Sequence, residues 1–318
     1  MKSTGDFRRH SVSQHITQFS SVYGTRKFDI KKMSEKERAV IARTHEAFGT
    51  CLTAEKLKED FNKLGILPGM NLLFHCSLSK IGWICGGSVT LIQVLLDLLG
   101  PEGTLIMPSH TSDNSNPKYW QNPPVPSEWF DTIRQSMPMY QSDRTPTLYM
   151  GKLAETFRKW PGVLRSEHPQ HSMIAFGKNA KLIIDKHIDS CSEQSPLARL
   201  YDLNDNGYVL LLGVEYENNT SLHLSEYRFQ TNNNIEKTFI SGASIENPET
   251  KKRQWIEWND YDYDSNDFND IGRAFDYIEG NTTIGSVGLA KARLMKQYLL
   301  IDFATDWMNK NRMKKNTS

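Results

Sequence analysis

The stretch that decides the fold is Asn71-Leu72-Leu73-Phe74-His75-Cys76-Ser77-Leu78-Ser79-Lys80-Ile81-Gly82, continued by Gly86-Gly87-Ser88 and closed by Thr104-Leu105-Ile106-Met107. Asn71–His75 is a short apolar run that reads as a buried strand. Cys76–Gly87 is a loop with Ser and Gly. Ser88 then opens a helix with Leu91, Val94, Leu95 and Leu98 on one face, stopped by Gly100-Pro101. Thr104–Met107 reads as a second buried strand. Strand, loop, helix, strand is a βαβ unit, which implies a parallel pair.

Working outward, Ser34 followed by Glu37 forms a capping-box pattern for a short helix over 34–47. Thr53 caps the next helix, with Leu57, Phe61 and Leu64 at helical spacing and Gly65 as its stop. Downstream, 109–142 is Pro- and Trp-rich without a clean period. It is too long for an idle loop and is expected to serve or cover a site. A helix over 151–160, a strand over 208–212, a helix around 221–229 and a long amphipathic helix over 288–310 complete the reading. The fold expected is α/β: one mixed, largely parallel central sheet sandwiched between helices, a single domain with insertions. Residues 1–50 read as a partly helical N-terminal arm, loosely structured over 1–33, and 51–318 as the domain.

Composition narrows the function. The 318 residues carry 38 Lys+Arg against 37 Asp+Glu, a net charge of +1, which argues against nucleic acid as a partner. No apolar stretch is long enough to span a bilayer, so no membrane partner is expected. The four cysteines, Cys51, Cys76, Cys85 and Cys191, show no metal or disulfide spacing, which points to a reducing, cytoplasmic setting. Charge is uneven. Residues 1–50 hold ten Lys/Arg against five Asp/Glu, and 255–279 hold eight Asp/Glu against Arg273 alone. The acidic run carries Trp255, Trp258, Tyr261 and Tyr263, which suits a folded segment able to attract a cationic ligand.

Three clusters could carry chemistry. His75 to Ser79, with Gly82, lies at the carboxyl end of a strand, where open α/β sheets bind ligands and a following helix favours an anion. It matches neither GxxxxGK[ST] nor GxGxxG. Arg165-Ser166-Glu167-His168-Pro169-Gln170-His171-Ser172 offers a histidine whose backbone Pro169 restrains, suited to a general base or to no role at all. His168-x-x-His171 as a metal pair would need further ligands. In Asn219-Thr220-Ser221-Leu222-His223-Leu224-Ser225-Glu226, His223 and Glu226 share a helix face at i, i+3, as a tuned pair or as plain polar residues near a cap.

Taken together these blocks resemble the aminoglycoside N3-acetyltransferase family. The likeness runs through His75–Gly82, Gly103–Pro108, Arg144-Thr145-Pro146-Thr147, Arg165–Pro169, Ser195–Leu200 and Asn219–Glu226, and its Tyr119–Pro126 stretch is similar to the bacillar branch. The resemblance implies an acyltransferase, linked to antibiotic resistance, that moves an acetyl group from acetyl-CoA to an amine through a tetrahedral intermediate. The acceptor it implies is the 3-amino group of an aminoglycoside. Another amine acceptor, or a non-catalytic coenzyme A-binding relative, is the alternative. It also implies roles: His168 as the base, with Glu226 and Glu193 as the carboxylates that orient it or grip the substrate. His75, Ser77, Leu78, Ser79, Gly82, Thr145 and Ser172 would hold the coenzyme, and Glu193, His223, Glu226 and Asp262 the cationic acceptor. No metal is expected, and a homodimer stays open. Ser192-Glu193-Gln194 departs from the Gly-Glu-Gly expected before Ser195-Pro196-Leu197 and stiffens that loop.

Overall fold

A computed structural model describes residues 34–315 of the chain. Its helices are α1 (Glu35–Phe48), α2 (Ala54–Leu64), α3 (Leu78–Ile81), α4 (Ser88–Leu99), α5 (Phe130–Ser136), α6 (Gly151–Arg158), α7 (Ala180–Ile184), α8 (Pro196–Tyr201), α9 (Leu222–Asn232), α10 (Phe268–Asp276) and α11 (Gln297–Lys315). The strands are β1 (Asn71–Cys76), β2 (Thr104–Pro108), β3 (Leu164–Arg165), β4 (Met173–Gly177), β5 (Gly207–Leu212), β6 (Phe239–Glu246), β7 (Arg253–Asp260), β8 (Thr282–Val287) and β9 (Ala290–Lys296).

Seven strands form one sheet in the order β3-β4-β2-β1-β5-β9-β8, and β6 and β7 form a separate hairpin. The βαβ unit is present, with Asn71 opposite Thr104 in a parallel pair. The sheet is mixed, as expected. Parallel pairing is confined to β2-β1-β5, and the outer pairings are antiparallel, yet five of the seven strands point the same way.

Period-two alternation divides the core between the two faces. Leu72, Phe74, Leu105, Met107, Leu210 and Leu212 face one cluster with residues of α2, α4 and α6. Leu73, Ile106, Val209 and Leu211 face the other, with α7 to α11. β1 lies in the middle and is buried on both faces, which is why its sequence is an unbroken apolar run. From β1 the chain passes to α4 on one face, and from β5 it passes to α9 on the other. Their carboxyl ends therefore flank a crevice.

Several expectations are corrected. The long helix expected over 288–310 begins only at Gln297, because Ala290–Lys296 pairs with β5 and β8. Gly288, at φ 56°, makes the turn into it. Helix-forming side chains there yield to two strand partners. The 109–142 segment, read without a clean period, has regular structure. It contains α5, and Asn114 is bonded in both directions to the Ser244 backbone of β6 (2.8 and 3.0 Å). The aromatic-acidic run becomes β7 and α10. The basic excess read over 1–50 falls within residues 1–33, outside those described, since 34–50 hold three bases and three acids. None of the described helices is long and apolar enough to cross a membrane.

Candidate active site

The crevice beyond β1, β2 and β5 holds a cavity of about 300 Å³ lined by His75, Cys76, Met107, Met150, Val214 and His223, among others. Phe74, Cys76, Met107, Met150, Leu153 and Ala154 supply its apolar lining. Two imidazole nitrogens in it, Nε2 of His75 and Nε2 of His110, are buried without a hydrogen-bond partner. Burial lowers the His75 pKa to about 3, and burial followed by neighbouring histidines holds that of His110 well below its ordinary value. Neutral, unpartnered nitrogens in a ligand-sized space are ready to bond a polar guest.

His223 enters this cavity from the first turn of α9. Its Nδ1 lies 2.9 Å from Oε2 of Glu226, one helical turn on. Glu226 is fully buried, and its other oxygen accepts from Nη1 of Arg312 and from the Asp264 backbone N–H, each at 2.8 Å. A carboxylate so fixed holds the proton of His223 on Nδ1 and leaves the Nε2 lone pair free. Tyr263 and Phe268 flank the ring at 5.1 and 5.0 Å.

His168 is arranged differently. Its Nδ1 accepts from the backbone N–H groups of Gln170 (3.2 Å) and His171 (3.0 Å), which puts the proton of the neutral ring on Nε2, 3.5 Å from the Ser190 hydroxyl. Burial, then the neighbouring histidines, push its pKa well below the ordinary value. The lone pair a base needs is occupied. Neither expected carboxylate orients this ring. Glu226 bonds His223, and Glu193 is exposed and paired with Arg228 (2.8 Å).

The residues expected to hold a coenzyme fall into two groups. His75 lines the cavity, and Ser77, Leu78 and Ser79 follow it after Cys76, with Ser77 pinned by its N–H to the Leu212 carbonyl (2.9 Å). Gly82 closes α3 at φ 115°, and a Cβ there would meet Thr44 Oγ1 at 2.9 Å. Thr145 and Ser172 instead belong to a buried hub around Arg165. Its guanidinium donates to the Thr145 carbonyl, to Ser172 Oγ (3.1 Å) and to the Ser109 carbonyl (2.7 Å). The hub ties the start of the long segment to β3 and to the residue before β4, and neither Thr145 nor Ser172 lines the cavity.

A second cavity, of about 390 Å³, lies beyond His168 and is lined by Glu167, Asp189, Glu257 and Asp260 with Trp258 and Lys237, among others. Asp260 was missed in the sequence and Asp262 was expected. β7 ends at Asp260, whose carboxylate accepts from Ser190 Oγ (2.7 Å) and from Tyr227, while Asp262 is exposed beyond the strand. Alternation along β7 puts Trp258 and Asp260 on one face, which was the available signal. Tyr263 links the two cavities: its ring packs on His223, and its hydroxyl meets the Tyr227 hydroxyl (2.7 Å) and donates to the Asp260 carboxylate (3.4 Å).

Among the described residues no group of His, Cys, Asp and Glu is arranged to hold a metal. Residues 73–309 match the family described as aminoglycoside 3-N-acetyltransferase. A curated relative is the SPbeta prophage-derived aminoglycoside N(3')-acetyltransferase-like protein YokD of Bacillus subtilis strain 168. It is 42% identical over 265 residues, which cover 82% of this chain and 94% of the relative. The crystal structure of YokD superposes with a TM-score of 0.80 at 40% identity, over 87% of this chain and 99% of that one. A structure described as AAC-IIIb in binary complex with CoASH superposes with a TM-score of 0.69 at 26% identity, over 82% of this chain and 97% of that one. On this evidence the chain belongs to the aminoglycoside 3-N-acetyltransferase family and is an acyltransferase.

Proposed function

We propose that the protein transfers the acetyl group of acetyl-CoA to the 3-amino group of an aminoglycoside, with His223 as general base. The observation that carries this reading is the His223–Glu226 pair, a histidine with one nitrogen locked to a buried carboxylate and the other at a cavity in the strand-end crevice. The neutral, unpartnered nitrogens of His75 and His110 and the apolar wall of Cys76, Met107, Met150 and Leu153 suit the thioester end of the coenzyme. The bound thioester supplies the acetyl group and a thiolate that leaves without a proton.

An ammonium has no lone pair to attack a carbonyl. His223 Nε2 takes the proton from the amine, and Glu226 stabilises the imidazolium that forms. Arg312, 2.8 Å from its carboxylate, holds Glu226 in place. The four carboxylates of the second cavity, offset by Lys237 and, at Glu257, by Arg134 (3.7 Å), suit a polycationic acceptor. Tyr263, in contact with His223 on one side and with Tyr227 and Asp260 on the other, suits the boundary where acceptor and acetyl group meet. The neutral state of His168, His171 and His187 keeps positive charge off that boundary. Their pKa values are lowered mainly by burial, to about 4 for His171 and about 3 for His187.

Product analysis tests the acceptor. With acetyl-CoA and a 2-deoxystreptamine aminoglycoside, mass spectrometry and NMR should find one acetyl group on the 3-amino nitrogen. Faster acetylation of a simple diamine, or acetylation elsewhere on the antibiotic, would contradict this assignment.

A further inference from the structure

α1 lies ahead of residues 73–309, the part that matches the family, yet it is docked on the coenzyme side of the site. Thr44 Oγ1 accepts from the Trp83 N–H at 2.8 Å, so the helix sits on the loop that follows α3. Arg43 Nη2 donates to the Ser79 carbonyl at 3.3 Å, within α3 itself. At the other end of α1, the Glu37 carboxyl is held below its ordinary value, first by hydrogen bonds from Ser34 and then by the charge of Lys152. Lys152 is the second residue of α6, between Met150 and Leu153 of the cavity wall. The helix therefore packs on α3 and the loop after it, on the β1 side of the cavity.

Charge bookkeeping at this rim is uneven. Arg43, Lys80 and Lys152 are exposed, and among the described residues none of them has a carboxylate within 4.0 Å. Lysines elsewhere divide in the same way: Lys56, Lys63, Lys178 and Lys296 have a carboxylate partner, whereas Lys58, Lys181 and Lys291 have none among the described residues. Both bonds made by Arg43, to the carbonyls of Ala39 and Ser79, leave its charge uncompensated. What sets the three apart is their place, on the elements next to a cavity that holds the two unpartnered imidazole nitrogens of His75 and His110.

We infer that α1 contributes Arg43 to coenzyme binding, and that Arg43, with Lys80 and Lys152, pairs with the phosphate groups of acetyl-CoA. This rests on the acetyl-CoA reading above. An apolar arm ending in a thioester suits the cavity, and the anionic end of the same molecule must then lie outside it. Arg is suited to that end, since its planar fork matches phosphate oxygens. The helix thus serves the anionic co-substrate and not the cationic acceptor.

The test compares two donors on the full-length protein, acetyl-CoA and acetylpantetheine, which lacks the nucleotide phosphates. The ratio of their kcat/KM values, with one fixed aminoglycoside acceptor, reads the phosphate contribution alone. In Arg43→Glu that preference for acetyl-CoA should fall about tenfold, the size of a charge-assisted contact near the surface. Arg43→Lys should restore part of it, and the wild-type preference should shrink with added salt. An unchanged preference, or an equal loss on both donors, would overturn the inference while leaving acetyl transfer standing. Wild-type protein that transfers from neither donor would remove both.

Discussion

His223→Ala should lower kcat by about 10²–10⁴-fold, the usual contribution of a general base, with coenzyme affinity nearly retained. The loss should fall on kcat because the substituted group acts when the amine gives up its proton. Glu226→Gln tests the pairing. The amide keeps an acceptor for Nδ1 but loses the charge that stabilises the imidazolium, so its activity should lie between wild type and His223→Ala. It also leaves the half-buried Arg312 with only Asp267 as a charged partner (2.7 Å), so the variant should be less stable as well. His168 supplies the contrast. An asparagine there can still accept from the Gln170 and His171 N–H groups, and turnover should stay within about tenfold of wild type, less than a general base contributes. The reverse ordering, with His168→Asn inactive and His223→Ala active, would return the base to His168.

A second large effect is acid sensitivity. His75, His110, His168, His171 and His187 all have pKa values lowered in the folded protein, chiefly by burial. Below the unfolded value of about 6.5 the unfolded chain binds protons that the folded one refuses. Stability is therefore unaffected by these groups above that pH and falls as pH drops, until the folded pKa values, near 3–4 where resolved, are reached. At pH 5.5 each such histidine withdraws up to about 1.4 kcal/mol. Five of them together are comparable with a net stability of about 5–15 kcal/mol. The urea midpoint should drop steeply between pH 7 and pH 5, and His187→Asn should make the drop shallower. The Glu155 carboxyl, lowered to about 2 chiefly by Arg158, titrates below this window and does not mask it. A midpoint that is flat from pH 7 to pH 5 would mean that the cluster takes up protons without loss.

How much of this was legible in the residues depends on the range of the forces involved. The βαβ unit, α2 and the capping box of α1 were readable because each rests on local signals: an apolar run, helical spacing, and Ser34 with Glu37. β9 was not readable, because its helix-forming residues are overruled by strand partners far away in the chain. The site divides in the same way. The i, i+3 spacing of His223 and Glu226 showed that they share a face, yet not which histidine meets a carboxylate across a cavity. His168 drew attention through its proline, but the two N–H groups that occupy its lone pair are visible only in the folded turn. Asp260 and Asp262 differ by two residues in an acidic run, and only the end of β7 separates a buried carboxylate from an exposed one.

The most direct test of the central claim is release of free thiol from acetyl-CoA by the purified full-length protein, with and without an aminoglycoside. Thiol release that requires the aminoglycoside and matches the acetylated product mole for mole is the predicted result. Release that is the same without an acceptor, or none at saturating acetyl-CoA and aminoglycoside, would contradict it.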